Sequence, residues 1–348
     1  MRLIEMIELN DMTLEEMETH FEESGFKRFR AKQIGDWLYK KNIFDFSEMT
    51  NLSKDFREKL GNEYIIKLPE TVKKQVSPTD NTTKFLFKLE DGNTIESVLL
   101  YHPKRITACI STQVGCKLNC AFCATGKSGF KRNLKTREII GQILKMQKEI
   151  PDRIGNIVFM GMGEPFLNYD NLIKSIRILT CKDMFDYSNR RIAVSTAGIV
   201  PKMMTFASEF PEVVLSISLH APNNRKRNEI MPINSKYPFE ELIQAMKDYT
   251  AITSKRITVE YMLIKDFNDS EQDAAELAGV LGGMKVNVNL IPLNPVDSTL
   301  KRPSLKTVEH FQKILETNGI ETVLRREKGT DIDGACGQLR IQKTNHSE

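Results

Sequence analysis

The nine residues GCKLNCAFC, at positions 115–123, contain three of the six cysteines in this 348-residue chain. Cys120 lies four positions after Cys116, and Cys123 lies three positions after Cys120. A tetrahedral zinc or an ordinary iron–sulfur cluster normally takes four protein ligands. A zinc ribbon would need a second cysteine pair at comparable spacing, which the sequence lacks. The motif therefore predicts a site in which the protein supplies three ligands and leaves one position open.

Three thiolates could hold a [4Fe-4S] cluster with one iron free for an outside ligand. The amino and carboxylate groups of S-adenosylmethionine can bind such an iron, and an electron from the cluster can then cleave the sulfonium. Zinc or free thiols are the alternative interpretation of the same three residues. A disulfide framework is disfavoured in a reducing compartment.

The composition is that of a folded globular protein. Hydrophobic residues make up 40% of the chain and charged residues 28%, which argues against a disordered or fibrous class. No apolar run approaches the roughly 20 residues that span a bilayer, and the acidic N-terminus lacks a signal-peptide core. We therefore expect a cytoplasmic protein with no membrane partner.

The net charge of +4 is too small to indicate nucleic acid by itself. Basic residues nevertheless recur in four clusters, which would suit a polyanion if they lined one cleft. The clusters are FKRFRAKQ (26–33), GFKRNLKTR (129–137), NNRKR (223–227) and LRREK (324–328).

The hydrophobic pattern changes twice along the chain. The first ~70 residues predict short amphipathic helices at 14–23, 31–40 and 53–60. Alternating residues around turn signals at 73–103 then predict two or three antiparallel strands. From residue 105, six apolar runs alternate with helical stretches, which predicts parallel strands covered by helices. The runs are RITACIST, NIVFMGMG, RIAVST, VVLSISLH, ITVEYMLI and VNVNLIPL, and the predicted helices are 136–149, 170–180, 201–208, 239–250, 270–281 and 305–317.

Polar and glycine residues follow several of these strands, where such folds collect their chemistry. They are the stretch GMGEP at 161–165, then Ser195, Ser218, His220 and Asn294. Glycines there allow close approach of the backbone to a ligand, and Glu164 could bind an ammonium group.

Six stretches resemble, in order, the motifs of the RlmN/Cfr group of the radical S-adenosylmethionine superfamily, which methylates adenine in rRNA. They are TACISTQVGCKLNCAFCATGKSGFKRNL, VFMGMGEPFLN, VSTAGI, SISLHAPN, LIPLNP and DIDGACGQL. The resemblance implies an α/β fold with a partial (β/α)6 barrel, an N-terminal helical accessory domain and a short antiparallel β extension. The implied boundaries are 1–70 for an RNA-binding helical domain, 71–101 for the β extension, 102–331 for the core and 332–348 for a C-terminal loop.

The resemblance also implies residue roles. One [4Fe-4S] cluster is held by Cys116, Cys120 and Cys123. Cys336 carries a methyl group as S-methylcysteine, Cys109 is the resolving thiol of a transient disulfide with it, and Glu96 is the proton acceptor. The residues expected to bind S-adenosylmethionine are Gly163, Glu164, Ser195, Ser218, Leu219, His220 and Asn294. Cys181 matches no motif and has no assigned role.

In that group one S-adenosylmethionine methylates the C-terminal cysteine and a second yields the radical that activates the methyl for addition to adenine. The implied substrates are carbon 2 of adenine 2503 in 23S rRNA and adenine 37 in tRNA. The expected partners are these RNAs, a flavodoxin- or ferredoxin-type reductant for the cluster and a reductant for the disulfide; we expect a monomer. Methylation at carbon 8, as by Cfr, and a noncatalytic RNA-binding or electron-transfer iron–sulfur protein are the alternatives.

Overall fold

The structure is a computed structural model that describes residues 6–342. The outer ends of the predicted terminal segments, residues 1–5 and 343–348, lie outside the described residues. The boundaries at 70, 101 and 331 remain predictions.

The N-terminal region consists of short helices beside a two-stranded parallel ribbon, as the amphipathic pattern predicts. A capping box starts the first helix, because Thr13 Oγ1 accepts the Glu16 amide at 3.2 Å and the Glu16 carboxylate accepts the Thr13 amide at 2.7 Å. Phe21 packs edge-to-face against Phe56 and Tyr64. The predicted helix at 31–40 begins at Phe29 and continues through Lys40 as a wider turn. The elements are β1 (Ile7–Glu8), α1 (Leu14–Glu23), α2 (Phe29–Gly35), α3 (Lys54–Glu63) and β2 (Tyr64–Ile65).

The main sheet of the described chain has ten strands, three antiparallel and seven parallel. The strands are β3 (Glu70–Val76), β4 (Thr83–Lys88), β5 (Thr94–His102), β6 (Arg105–Cys109), β9 (Asn156–Phe159), β10 (Ile192–Thr196), β11 (Val214–Ser218), β12 (Ile257–Leu263), β13 (Val286–Pro292) and β14 (Thr322–Leu324). The two strands β7 (Gln113–Gly115) and β8 (Phe130–Asn133) form a separate hairpin. The spatial order of the main sheet is β14-β13-β12-β11-β10-β9-β6-β5-β4-β3.

The antiparallel extension is confirmed, and it continues the same sheet as the parallel strands. β5 pairs with β6, so the extension lies directly beside the strand that precedes the cysteine motif. β4 is almost completely buried on both faces, including Lys84. Within the extension β4 and most of β5 are therefore covered, whereas the edge strand β3 is largely exposed.

Helices connect the parallel strands and cover them, as predicted. The helices are α4 (Ala124–Lys127), α5 (Thr136–Lys148), α6 (Tyr169–Thr180), α7 (Val200–Glu209), α8 (Asn224–Ile230), α9 (Phe239–Thr253), α10 (Glu271–Leu281) and α11 (Leu305–Thr317). The predicted core helices are confirmed within a few residues, while α4, α8 and the seventh parallel strand β14 were not predicted. The two helices have four and seven residues, which is too short for helical periodicity to show, and β14 has only three residues, fewer than the apolar runs that indicated the other strands.

Among residues 6–342, no helix is both long and apolar enough to cross a membrane.

Candidate active site

The strands β6 and β9 to β13 run parallel, so their carboxyl ends share one edge of the sheet. The loops that follow them carry most of the predicted site residues. In open parallel sheets and barrels this edge is where ligands bind. The fold therefore brings together residues that are more than 200 positions apart in sequence.

The three-cysteine loop lies between the hairpin strand β7 and the short helix α4. Gly115 begins it with a φ of 77°, and a side chain there would collide with the Gly129 carbonyl. The Cys116 amide donates to the same carbonyl at 2.9 Å, and the Ala121 amide donates to the Ile230 carbonyl at the end of α8, also at 2.9 Å. The loop is thus fixed both to its own hairpin and to a helix of the core.

The chemistry of the three thiols suits an iron–sulfur cluster. Burial raises the pKa of Cys116 to about 12 and raises that of Cys120 well above its usual value, and neighbouring thiols of the motif increase both shifts. Neighbouring thiolates in such an environment therefore need positive charge to form, and the iron of a cluster would supply it.

Glu164 lies in the loop after β9, and its carboxylate is buried. One oxygen accepts the Phe166 amide at 3.0 Å and the Thr196 hydroxyl at 2.7 Å; the other accepts the Ala197 amide at 2.8 Å. Burial raises the pKa of Glu164, and these hydrogen bonds oppose the increase. The preceding Gly163 has a φ of 106° and lies against Gln113, where a side chain would not fit. The glycine thus allows the carboxylate to turn into the strand edge.

Ser195 and Ser218 lie on neighbouring strands with their hydroxyl oxygens 3.4 Å apart. Ser218 is in register with Glu260 on β12, which is in register with Asn289 on β13. Asn289 donates to one Glu260 oxygen at 3.1 Å, while the other has no hydrogen-bond partner within the described part of the chain. Burial raises the pKa of Glu260. Glu260 and Asn289 therefore extend the row of polar side chains that begins with Ser195 and Ser218, and the sequence analysis did not identify either of them.

His220 is buried in a left-handed conformation, with a φ of 55°. Its Nδ1 accepts the Met262 amide at 3.0 Å, which leaves the proton of the neutral ring on Nε2. Burial lowers the pKa of His220 to about 3, so the ring is neutral at physiological pH. The ring stands edge-on to Phe122 of the cysteine motif, with 4.8 Å between centroids. His220 therefore connects the β11 end to the cysteine loop.

Cys336 and Cys109 come together although 227 positions separate them. The Cys336 carbonyl accepts from Asn294 at 3.4 Å, and the Gly337 carbonyl accepts the Ala124 amide, next to Cys123, at 2.7 Å. Burial raises the pKa of Cys109 to about 12, and nearby Cys336 adds to that increase. The Cys336 sulfur in turn raises the pKa of Arg325, with Cys109 contributing. The two thiols and one guanidinium thus share one electrostatic environment.

The remaining predicted residues are Leu219 and Glu96, and both are buried. Leu219 is buried, and its amide and that of His220 both donate to the Glu260 carbonyl. Glu96 projects from β5 and is completely buried beneath the C-terminal segment. Its backbone amide lies 3.2 Å from the sulfur of Met162, beside Gly163.

Two family models match the chain. The radical SAM superfamily model matches residues 110–278, and the model described as the ribosomal RNA large subunit methyltransferase N-terminal domain matches residues 7–66. A protein of Fervidobacterium nodosum described as "Probable dual-specificity RNA methyltransferase RlmN" is 54% identical over 95% of this chain and 96% of its own. A Thermotoga maritima protein with the same description is 54% identical over 97% of this chain and 98% of its own. The chain belongs to the RlmN family of radical SAM proteins.

The crystal structure of a radical SAM methyltransferase from Sphaerobacter thermophilus agrees with this assignment. It superposes with a TM-score of 0.91 at 42% identity, covering 96% of this chain and 99% of that one. The α/β fold predicted from the motifs, with its radical SAM core and N-terminal helical region, is therefore confirmed. The N-terminal family match corresponds closely to the segment from β1 to β2.

Arg227 belongs to NNRKR, one of the four basic clusters that the sequence analysis considered for a polyanion. The structure corrects that interpretation, because its side chain is completely buried. It donates to the Ala197 carbonyl at 2.6 Å, to Asn234 Oδ1 at 2.7 Å, and to the Ser218 and Leu219 carbonyls at 3.3 Å each. Burial lowers the pKa of Arg227 to about 10. One signal was available: on a helix, Arg227 shares a face with the apolar Ile230.

The other basic clusters are also partly neutralised. Arg28 pairs with Glu18 and Glu22, and Arg132 pairs with Asp91 and Glu138. Arg137 is 6% exposed and pairs with Glu90 at 2.6 Å. The predicted clusters are therefore not four free patches of positive charge.

Proposed function

We propose that this protein methylates carbon 2 of adenine 2503 in 23S rRNA and also adenine 37 in tRNA. The proposal rests on the family, on the full-length similarity to RlmN proteins and on the residues at the strand edge. The observation that carries it is the position of Cys336. The carbonyl of this cysteine, in the far C-terminal segment, accepts from Asn294, the next carbonyl accepts the Ala124 amide beside the three-cysteine loop, and its sulfur is near enough to Cys109 to raise the pKa of that thiol.

Cys116, Cys120 and Cys123 would hold a [4Fe-4S] cluster. The residues placed to bind S-adenosylmethionine lie along the ends of β9, β10, β11 and β13: Gly163, Glu164, Ser195, Ser218, Leu219, His220 and Asn294. When bound, the two groups together would supply one-electron cleavage of a sulfonium and hence a carbon radical. Glu164 accepts hydrogen bonds at both oxygens and is held in place to meet an ammonium group.

In the proposed mechanism Cys336 carries the one-carbon unit as a thioether and joins it to the adenine carbon. Glu96 accepts the proton that leaves that carbon, and the adduct, formed by addition of a radical, gives back one electron in the same step. The thiolate of Cys109 then attacks the Cys336 sulfur: the sulfur–carbon bond breaks, its electron pair stays with the carbon, which takes up a proton to become the methyl group, and a disulfide forms. A dithiol reductant returns both cysteines to thiols. The effect of Cys336 on the pKa of Cys109 supports this pairing.

The raised pKa of Cys109 has a chemical consequence. A thiol with a pKa of about 12 stays protonated while the radical steps proceed, and it becomes a nucleophile only when a base or a shift of the loop favours the thiolate. The positive charge of Arg325 stabilises the thiolate and lowers the pKa of Cys109, which opposes the effect of burial. Early attack on Cys336 is thereby disfavoured.

Anaerobic reconstitution tests the proposal. The reconstituted protein, given a reductant, S-adenosylmethionine and either 23S rRNA fragments or tRNA, is expected to form 5′-deoxyadenosine and 2-methyladenine, located by mass spectrometry of nuclease digests. The Cys181→Ala variant is the matched control and should behave as the parent. Absence of 5′-deoxyadenosine would support the noncatalytic iron–sulfur alternative, and 8-methyladenine would support the Cfr-type activity.

A further inference from the structure

Lys84 is a buried charged residue to which neither the family motifs nor the proposed mechanism gives a role. Its side chain is 4% exposed and lies on β4, the strand next to the edge strand β3 of the main sheet. Burial of an ammonium group is costly unless it is paired and hydrogen-bonded. Its Nζ lies 3.2 Å from Glu96 Oε1 and donates to the Asp333 carbonyl at 3.2 Å. Lys84 thus bridges β5 and the C-terminal segment.

The sheet register explains why the two charges meet. Lys84 is opposite Val98 and Glu96 is opposite Leu86 in the antiparallel pair β4 and β5. Lys84 and Glu96 are therefore diagonal neighbours on the same face, within reach of long side chains. That face is the one that the C-terminal segment covers.

The Glu96 carboxylate contacts the C-terminal segment at both oxygens. Oε2 accepts the Arg340 amide at 2.8 Å, and Oε1 accepts from the Gln342 side chain at 2.6 Å. Cys336 lies between the two attachment points, three residues after Asp333 and four before Arg340. The ion pair consequently holds the Cys336 loop at both of its ends.

The loop between these points has little conformational restriction of its own. Gly334, Ala335 and Gly337 surround Cys336, and Gly337 has a φ of 84°. Glycine makes a backbone flexible in the absence of external contacts. A carrier thiol on such a loop needs fixed ends if its sulfur is to remain near Cys109.

We propose that Lys84 and Glu96 form a buried brace that positions the Cys336 loop, with Lys84 as a positioning residue. The inference rests on the proposed function for the role of Cys336 and on the geometry alone for the brace. Both Glu96 oxygens are occupied in this conformation. Movement of the carrier loop would remove the Arg340 and Gln342 hydrogen bonds to Glu96, so movement of the loop and exposure of the base are coupled.

Lys84→Met tests the brace, because it keeps most of the stem and removes the charge and the donor. The unpaired Glu96 then favours a conformation in which the segment opens and water reaches the carboxylate. We expect hydrogen exchange of the 333–340 amides, and alkylation of Cys336 by iodoacetamide, to increase about tenfold or more. Amides of β10, β11 and β12 report global unfolding, and their exchange is expected to stay unchanged.

Two further variants make the result specific. Lys74→Met is the matched control on the adjacent strand, because Lys74 forms a half-exposed ion pair with Glu149 and should not alter the loop. Adding Glu96→Gln to Lys84→Met removes the stranded charge and should restore part of the protection. Unchanged exchange at 333–340 in Lys84→Met would overturn the brace. So would a double variant as exposed as the single one, because the charge would then not be the cause.

A last measurement separates this inference from the proposed function. S-methylation of Cys336, followed by mass spectrometry of the intact protein, should fall about tenfold in Lys84→Met with an unchanged iron content. If the parent protein never acquires the methyl, the proposed function fails, while the exchange result still decides the brace.

Discussion

The cysteine loop at 115–123 and the proposed carrier loop at 333–340 both contribute cysteines to the proposed site but are built in different ways. The first brings three thiols together within nine consecutive residues, and its own hairpin and the end of α8 fix it. The second has one cysteine and depends on distant segments: side chains from β4 and β5, more than 240 residues away in sequence, and the contacts with Asn294 and Ala124 hold it. The spacing of the three thiols is therefore a local property of the sequence, whereas the position of Cys336 depends on the assembled sheet.

Cys336→Ala sharpens this comparison most, because it removes the carrier thiol and leaves the local loop intact. We expect methylation of RNA to fall below detection while iron content stays at the parent level. Cys120→Ala should instead lose both iron and methylation. Retained methylation in Cys336→Ala would contradict the carrier role, and loss of iron in it would show that the two loops do not form independently.

Arg227→Met changes α8, the helix whose Ile230 carbonyl accepts the Ala121 amide of the cysteine loop. The change leaves the buried carbonyls of Ala197, Ser218 and Leu219 without their donor, so we expect the free energy of unfolding to fall by about 2–4 kcal/mol. Urea unfolding of the cluster-free protein measures it. The control Arg225→Met removes a 73% exposed side chain from the same helix and should change stability by no more than about 0.5 kcal/mol. Equal effects in both variants would contradict the buried role.

The pH dependence of adduct release tests whether the thiolate of Cys109 attacks Cys336. Deprotonation creates the nucleophile, and the pKa of Cys109 is about 12, so the thiolate fraction rises throughout the accessible range. From about pH 7 to about pH 9, single-turnover release of the RNA–Cys336 adduct should accelerate about tenfold per pH unit. Cys109→Ala should accumulate the adduct at every pH. A rate that is flat with pH would mean that Cys109 does not make the rate-limiting attack.

Thr94→Val is expected to have the smallest effect, at the outer end of the carrier segment. Thr94 Oγ1 donates to the Gln342 carbonyl at 2.6 Å and accepts its amide at 3.1 Å. Loss of these bonds should cost about 1 kcal/mol, which corresponds to about fivefold faster hydrogen exchange of the amides next to Gln342. The control Thr205→Val, in the exposed part of α7, should leave them unchanged. An effect as large as that of Lys84→Met would place the anchor at Thr94 instead.

Sequence reasoning worked best where the pattern is long or local. The core helices were predicted because each is long enough to show its period, and the six strands β6 and β9 to β13 because each lies in a continuous apolar run. It failed for β14 and α8, which are short, and for the direction of Arg227, since a basic run on a short helix does not reveal which member turns inward. The positive charge of Arg227 suggested an exposed side chain, but tertiary packing buries it.

The same contrast between local pattern and tertiary packing applies to individual site residues. The motif at 115–123 indicated a three-thiol site by its spacing alone. Glu260 and Lys84 gave no such signal, because an isolated charge within a strand pattern is compatible with either face. Only the register, Ser218 beside Glu260 and Lys84 diagonal to Glu96, shows which side chains meet.

The sequence by itself determined the α/β class, the repeat of strands and helices, and the spacing of the three cysteines, because these depend on residues close together in the chain. Tertiary structure decided that Cys336 lies near enough to Cys109 to affect its pKa, that Glu96 is covered by Arg340 and Gln342, and that Arg227 is buried. The reason is physical. Contacts between distant segments depend on sheet order and register, and no short stretch of sequence encodes either one.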